Sequence, residues 1–530
     1  MPAKFTRSVL LLIPIALSTP GLAFGDDITE AASKIDEVLS AHWKTESVVP
    51  AEPANDSEFL RRVYLDIAGR IPLVSETREF LKDTRADKRH RAIEKLLASP
   101  NYVTNFANIW TKALIPEAQG DQLLRQQLPT FDAWARQKLA DDVRYDEMVR
   151  EILSMPLSQE QIAASLQRAD DPTPRAFYVA KELKAENLAS SASRMFLGVR
   201  IDCAQCHDHP MDKWTQNDFW GFAAFFAGVS PAGGNFNAFN TQIQVNDVKR
   251  SLKIPDSEKV MQATFLDGQI PDWESDSETR AVLADWVTSP QNPYFSRMAV
   301  NRVWGHMFGT GLVDPVDDFS DENPPMFPEL LDLLAEQLIA NDFNIKAIIR
   351  IIASTKTYQL TSRRSHASQD QPQQFARIVP KGLSPEQLFD SVAAATGFYQ
   401  PFRIGNQLQI QNPNARTEFL EEFNNQADSV VERETTILQA LSMMNGSFIS
   451  NATDPAQSQT LAAVIDAPFM TNEDRIETLY LATLCRKPTK SEQSKLTKYL
   501  TSGGPQKDST RALSDVFWAL LNSSEFLFNH

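Results

Sequence analysis

Apolar residues recur at helical spacing along most of the chain. Glu58 to Ile67 reads EFLRRVYLDI and places Phe59, Val63 and either Leu60 or Ile67 on one face, the spacing of an amphipathic helix. Asp56 or Ser57 is expected to cap its start and Gly69 to stop it. Further helices are predicted from Ser75 through Leu81, from Asp87 to Leu97, from Asn101 to Leu114, around Leu123 to Leu139 and from Tyr145 to Leu153. Ser158-Gln159-Glu160-Gln161 then has capping-box form, a hydroxyl answered three residues later by a Gln.

The pattern changes between Val229 and Thr279. Pro231, Gly233, Gly234 and the Asn/Phe alternation through Asn240 read as irregular chain. Ile243 and Val245 alternate with polar residues, and Val260 to Leu266 is a second predicted strand. Helical spacing then returns, with Leu330, Leu331, Leu334 and Leu338 on one stripe and Ile345, Ile348, Ile349 and Ile352 on another. Ser384-Pro385-Glu386-Gln387 and Thr489-Lys490-Ser491-Glu492 have the form of helix starts. The polar stretch Ser362 to Gln374 reads as an exposed loop. The expected fold is mainly α: two helical domains with a small β-containing connector. The expected divisions are 26–230, 231–280 and 281–530, after a leader over 1–25.

That leader has the pattern of a secretory signal peptide. Lys4 and Arg7 precede an apolar run from Val9 to Leu17, and Ala23-Phe24-Gly25 supplies small residues before Asp26-Asp27. The run is shorter than the about 20 residues that a spanning helix needs. An exported protein, periplasmic or extracellular, without a membrane span after cleavage, is therefore expected. The 530 residues suggest two domains, and 42% hydrophobic with 23% charged residues is a globular balance. A net charge of −16 argues against a nucleic-acid partner, whose phosphates are met by clustered Lys and Arg.

Only three cysteines are present, Cys203, Cys206 and Cys485, so no disulfide framework is expected. Residues 203–210 read CAQCHDHP, and the first five match C-x-x-C-H, the attachment signature of c-type haem. Cys203 and Cys206 would reach the two vinyl groups of the porphyrin as thioethers, and His207 would stand under the iron as proximal ligand. Such attachment takes place outside the cytoplasm, which the leader independently provides for. Three other readings stand beside it. A redox dithiol normally opens a helix in a βαβ setting, which the flanking pattern lacks. Zinc on Cys203, Cys206, His207 and His209 would crowd four ligands into seven residues. A local disulfide or plain structural thiols complete the set.

The run FLGVRIDCAQCHDHPMDKWTQNDFWGFAAFF, Phe196 to Phe226, resembles the heart of the cytochrome-associated planctomycete domain PSCyt, a domain of unknown function. EFLRRVYLDIAGRIP, Glu58 to Pro72, is similar to that family's N-terminal signature. Asn292 to Pro325, STKTYQLTS (Ser354 to Ser362) and ALLNSSEFLFNH (Ala519 to His530) resemble the PSD domain that accompanies it. The resemblance covers nearly the whole mature chain and implies a secreted two-domain helical protein. The family usually has an aromatic after HDHP where this chain has Met211, so Met211 is not carried over as an iron ligand.

His209 and Met211 lie too close to His207 in sequence to reach the opposite face of a haem easily. His306, flanked by Trp304 and Phe308, is the remote candidate for the distal side, against a purely structural role at a domain interface. Asp208 and Asp212 are candidates to orient the histidines. The acidic run Asp314, Asp317, Asp318, Asp321 and Glu322 fails the calcium-loop pattern, because Phe319 stands at the turn glycine and Pro325 at the bidentate glutamate. No GxSxG elbow, HExxH or Walker loop occurs. The expected function is electron transfer, or service to a redox partner protein. The alternatives are a non-haem metal-binding or scaffold protein, and an oxidoreductase with a substrate site near His209 and His306.

Overall fold

The apolar stripes fold into helices that bury them. The computed structural model describes residues 23–157, 172–232, 236, 243–274, 277–398, 415–423, 443–444 and 446–530. Within them the fold is mainly α, with three two-stranded antiparallel ribbons. The expected leader lies outside the described residues except for Ala23 to Gly25, and the Ser158–Gln161 capping box lies wholly outside them.

The first amphipathic stripe forms a helix over Asp56–Val63, capped by Asn55, whose side chain accepts the Glu58 N–H. It does not run on as a regular helix. Tyr64–Ala68 makes a π turn that ends on Gly69 at φ +69°. A Cβ there would meet Asn105 Oδ1 at 2.6 Å, so both backbone and space require glycine. The turn's extra residue was not legible from spacing, and it carries Asp66 fully inside the protein. Pro100–Leu114 starts on the Ser99 cap with proline at its first position, one residue before the predicted start. The Leu123–Leu139 pattern resolves into two helices, Gln122–Arg125 and Leu128–Ala140.

Sequence reading missed the helix Ala23–Thr45. Ile28, Ile35 and Leu39 are buried along it, and it packs on Pro328–Ala340 and Ile345–Ser354, the two stripes predicted far downstream. Nor is 362–374 simply an exposed loop. It makes two 3₁₀ turns, and the Gln374 carbonyl accepts from the Trp43 indole at 2.7 Å.

Two of the ribbons lie in the connector. Val229–Pro231 pairs with Ile243–Val245, and Ser251–Lys253 with Val260–Gln262. The third ties Lys381–Gly382 to Phe528–Asn529. The packing does not part at the connector: one core runs from Ile28 to Ile378, and the helix Thr279–Val287 packs on Tyr145–Ser154. A second core gathers Leu388 to Phe526 and takes in Leu65 and Ile71 from the π-turn region.

In the second core, Thr489 and Glu492 form the predicted capping box at the start of Lys490–Ser502. Arg486 donates to Glu492 at 2.9 Å and to Glu525 at 2.6 Å. The Arg486 bonds, against the smaller opposing effect of burial, pull the Glu492 carboxyl down to about 2. An unfolded glutamate titrates near about 4.3, so this contribution is full above that value and is lost as pH falls toward about 2. Glu492→Gln should therefore flatten the acid limb of the unfolding midpoint between about pH 5 and about pH 2. Equal acid slopes in the two proteins would refute the assignment.

Candidate functional site

The C-x-x-C-H motif is built on a short 3₁₀ turn, Asp202–Gln205. Ala204 is fully buried and roots the turn, while Cys203 and Cys206 are exposed free thiols. Cys203 lies within the turn and Cys206 directly follows it. The following helix, Gln216–Ala223, fastens the turn from behind. Trp220 donates its indole N–H to the Gln205 carbonyl at 2.9 Å, and Gln216 donates its amide to the Cys206 carbonyl at 3.0 Å. Thr215 and Asp218 cap that helix reciprocally.

Asp208 orients neither histidine through its carboxylate. Its Oδ1 accepts the backbone N–H of Gln216 at 2.9 Å, satisfying an orphan donor of the helix start. Asp212 likewise accepts from its neighbour, the Lys213 N–H. The backbone does the orienting. His207 Nδ1 lies 2.7 Å from the Asp208 carbonyl oxygen, which can only accept, so Nδ1 carries a proton and, in the neutral ring, Nε2 holds the lone pair. His209 is set the opposite way: its Nδ1 accepts the Met211 N–H at 3.2 Å, so the neutral ring carries its proton on Nε2. One imidazole thus offers a ligand and the other a donor.

Among the described residues no three His, Cys, Asp or Glu side chains are arranged to hold a metal ion. Cys203, Cys206, His207 and His209 are not gathered into such a group. A covalent haem asks less of the chain: two accessible thiols three residues apart and an adjoining imidazole whose Nδ1 is held by a carbonyl. Cys203, Cys206 and His207 fit that requirement. Cys485 is buried, and burial pushes its thiol up to about 11 despite the Arg61 guanidinium at 3.9 Å.

His306 has other partners. It stands on the helix Phe295–Phe308 with Nε2 2.8 Å from the Asp66 carbonyl and its ring edge-on to Phe106 at 5.5 Å. Trp304 and Phe308 stack on each other at 4.2 Å in the core. In the acidic run, Asp317 is bound by Arg194 at 2.7 Å and Arg200 at 2.6 Å.

Sequence reading missed the polar cluster around Asp66. Its carboxylate accepts from Tyr358 Oη at 2.7 Å and Asn529 Nδ2 at 2.8 Å, and pairs with Lys381 Nζ at 2.6 Å. Lys381 also donates to the Met307 carbonyl at 2.9 Å, at the end of the Phe295–Phe308 helix. The signal was three charged residues, Arg61, Arg62 and Asp66, inside a stretch whose packing buries it all round.

No curated protein matches the chain, and no solved structure matches it. Two family models do. Residues 34–231 match PSCyt2, a protein of unknown function (DUF1549), and residues 279–500 match PSD1, a protein of unknown function (DUF1553). With both in the order that the motifs implied, the chain belongs to the proteins that carry a PSCyt2 domain followed by a PSD1 domain.

Proposed function

We propose that this is an exported c-type haem protein that transfers electrons, acting with a redox partner protein. Cys203 and Cys206 hold the porphyrin, each adding its S–H across one vinyl double bond, so attachment consumes no oxidant. His207 binds the iron through Nε2. The observation that carries the reading is the His207 Nδ1 bond to the Asp208 carbonyl, beside two exposed thiols on one turn. That bond fixes the ring's tautomer and raises its basicity as a ligand. When bound, haem supplies an iron that takes up or releases one electron at a time. The Gln216 and Trp220 bonds keep the attachment turn in place, and His209 adds a donor next to it.

The test is a haem stain on a denaturing gel, using the full chain exported from a host with haem c maturation. Covalent haem survives denaturation, so the wild type and Cys485→Ala should both stain. Cys203→Ala/Cys206→Ala should lose the stain and its Soret band entirely. A colourless wild type with both sulfurs free, or one carrying stoichiometric zinc, would overturn the proposal.

A further inference from the structure

Lys381 and Asn529 stand directly opposite each other in the ribbon that ties Lys381–Gly382 to Phe528–Asn529. Residues paired in this way put both side chains on one face, with Cβ atoms about 5 Å apart. Here both side chains end on the same atom. Lys381 Nζ lies 2.6 Å from Asp66 Oδ1, and Asn529 Nδ2 donates to that oxygen at 2.8 Å. The other oxygen, Oδ2, accepts from Tyr358 Oη at 2.7 Å, which fixes the rotation of the carboxylate. Asp66 and Tyr358 are fully buried, and Asn529 is 2% exposed.

A structural ion pair needs an amine and a carboxylate and nothing more. Lys181 and Glu117 make such a pair at 2.6 Å. At Asp66 a third group is added, a carboxamide that shares one oxygen with the amine. The amine is held as well, since Lys381 also donates to the His306 and Met307 carbonyls. Once one proton has passed to Asp66, those carbonyls keep the two remaining N–H groups. The lone pair then takes the place of the third, on the side of Asp66 and Asn529. Burial favours such a neutral amine and neutral carboxyl over the charged pair.

We propose that Lys381 and Asn529 become joined through their side chains by an amide bond, with Asp66 as general base and acid. Asp66 Oδ1 takes a proton from Lys381 Nζ, and the freed amine attacks Asn529 Cγ. The Nζ–Cγ bond forms, the Cγ–Nδ2 bond breaks, and Oδ1 passes its proton to the departing Nδ2. That nitrogen leaves as ammonia and takes up the second Nζ proton as ammonium, so no oxidant or cofactor is consumed. One oxygen bonds both nitrogens, so the proton is relayed without any turn of the carboxylate. Holding the groups together replaces a bimolecular encounter, and a desolvated lysine is a competent nucleophile. Where the bond has not formed, the Asp66–Lys381 ion pair persists. The reaction is independent of haem.

The bond gives the ribbon what its length does not. Two residues per strand are too few to hold by pairing alone, and the link fastens them beside the Tyr64–Ala68 turn.

Tryptic digestion of the full chain, kept folded and then denatured for cleavage, tests this by peptide mass. The peptide that holds Lys381 should be recovered joined to the one that holds Asn529, uncut after Lys381. The joined pair should be lighter than the two peptides together by one ammonia. Lys381→Arg keeps a cation beside Asp66 but cannot form the bond, and it should give only the separate peptides. Asp66→Asn should slow linkage at least about a hundredfold, the usual share of a positioned acid and base. Tyr358→Phe frees the carboxylate to turn, should also slow linkage, and stands in if Asp66→Asn does not fold. Folded wild type that yields only the separate peptides would overturn the proposal, and so would equal linkage rates in wild type and these variants.

Discussion

Asp66→Ala is expected to lower stability by about 3–5 kcal/mol, the cost of removing one partner from a buried ion pair. The substitution strands Tyr358 Oη and Asn529 Nδ2 and leaves the Lys381 ammonium without its carboxylate, holding only neutral carbonyls such as that of Met307. The Asp66 carbonyl, which serves His306 and Asn105, remains, so those contacts are not what the measurement reads. Asp66→Asn keeps the size and one acceptor and should cost less. Pairing Asp66→Ala with Lys381→Met should recover part of the loss, because the double variant buries no unmatched charge. Denaturant unfolding of the four proteins decides this. A loss below about 1 kcal/mol for Asp66→Ala would mean that the cluster contributes only as a surface pair does.

The second large effect is expected at Trp304, which is fully buried, stacks on Phe308 at 4.2 Å and meets Phe375 edge-on at 5.2 Å. Trp304→Ala should cost about 3–5 kcal/mol through lost burial and the cavity left behind. Trp304→Phe should cost under about 1.5 kcal/mol. The Trp304 indole N–H is buried without a partner, so the smaller ring removes an unmatched donor along with some volume. Similar losses for the two variants would show that shape alone sets the cost at this position.

Periodicity located the elements that repeat. The Leu330 and Ile345 stripes became the helices Pro328–Ala340 and Ile345–Ser354, and the two predicted capping boxes that lie within the described residues formed. It could not locate what depends on distant partners. In Ala23–Thr45 the stripe itself was legible, since Ile28, Ala31, Ile35, Leu39 and Trp43 are buried at helical spacing, but its partners lie some three hundred residues downstream. The π turn at Tyr64–Ala68 looks like ordinary helix until Lys381, Tyr358 and Asn529 are seen to converge on Asp66. At the C-x-x-C-H turn, sequence named the atoms to inspect but not how the rings are bonded. The tautomers of His207 and His209 are set by a carbonyl and an N–H that no spacing rule supplies.

Arg61 holds carbonyls separated from it by 464 and 465 residues in the chain. A polypeptide emerging from ribosome or translocon cannot complete this arrangement until residues 525 and 526 have appeared. Until then Arg61 lacks the Glu525 and Phe526 carbonyls, and Asp66 lacks the Asn529 amide. Contacts of such long range are slow to form. Maturation should therefore include a late locking step in which the strand Phe528–Asn529 closes onto the Tyr64–Ala68 turn, leaving the nascent protein open to proteases until that moment.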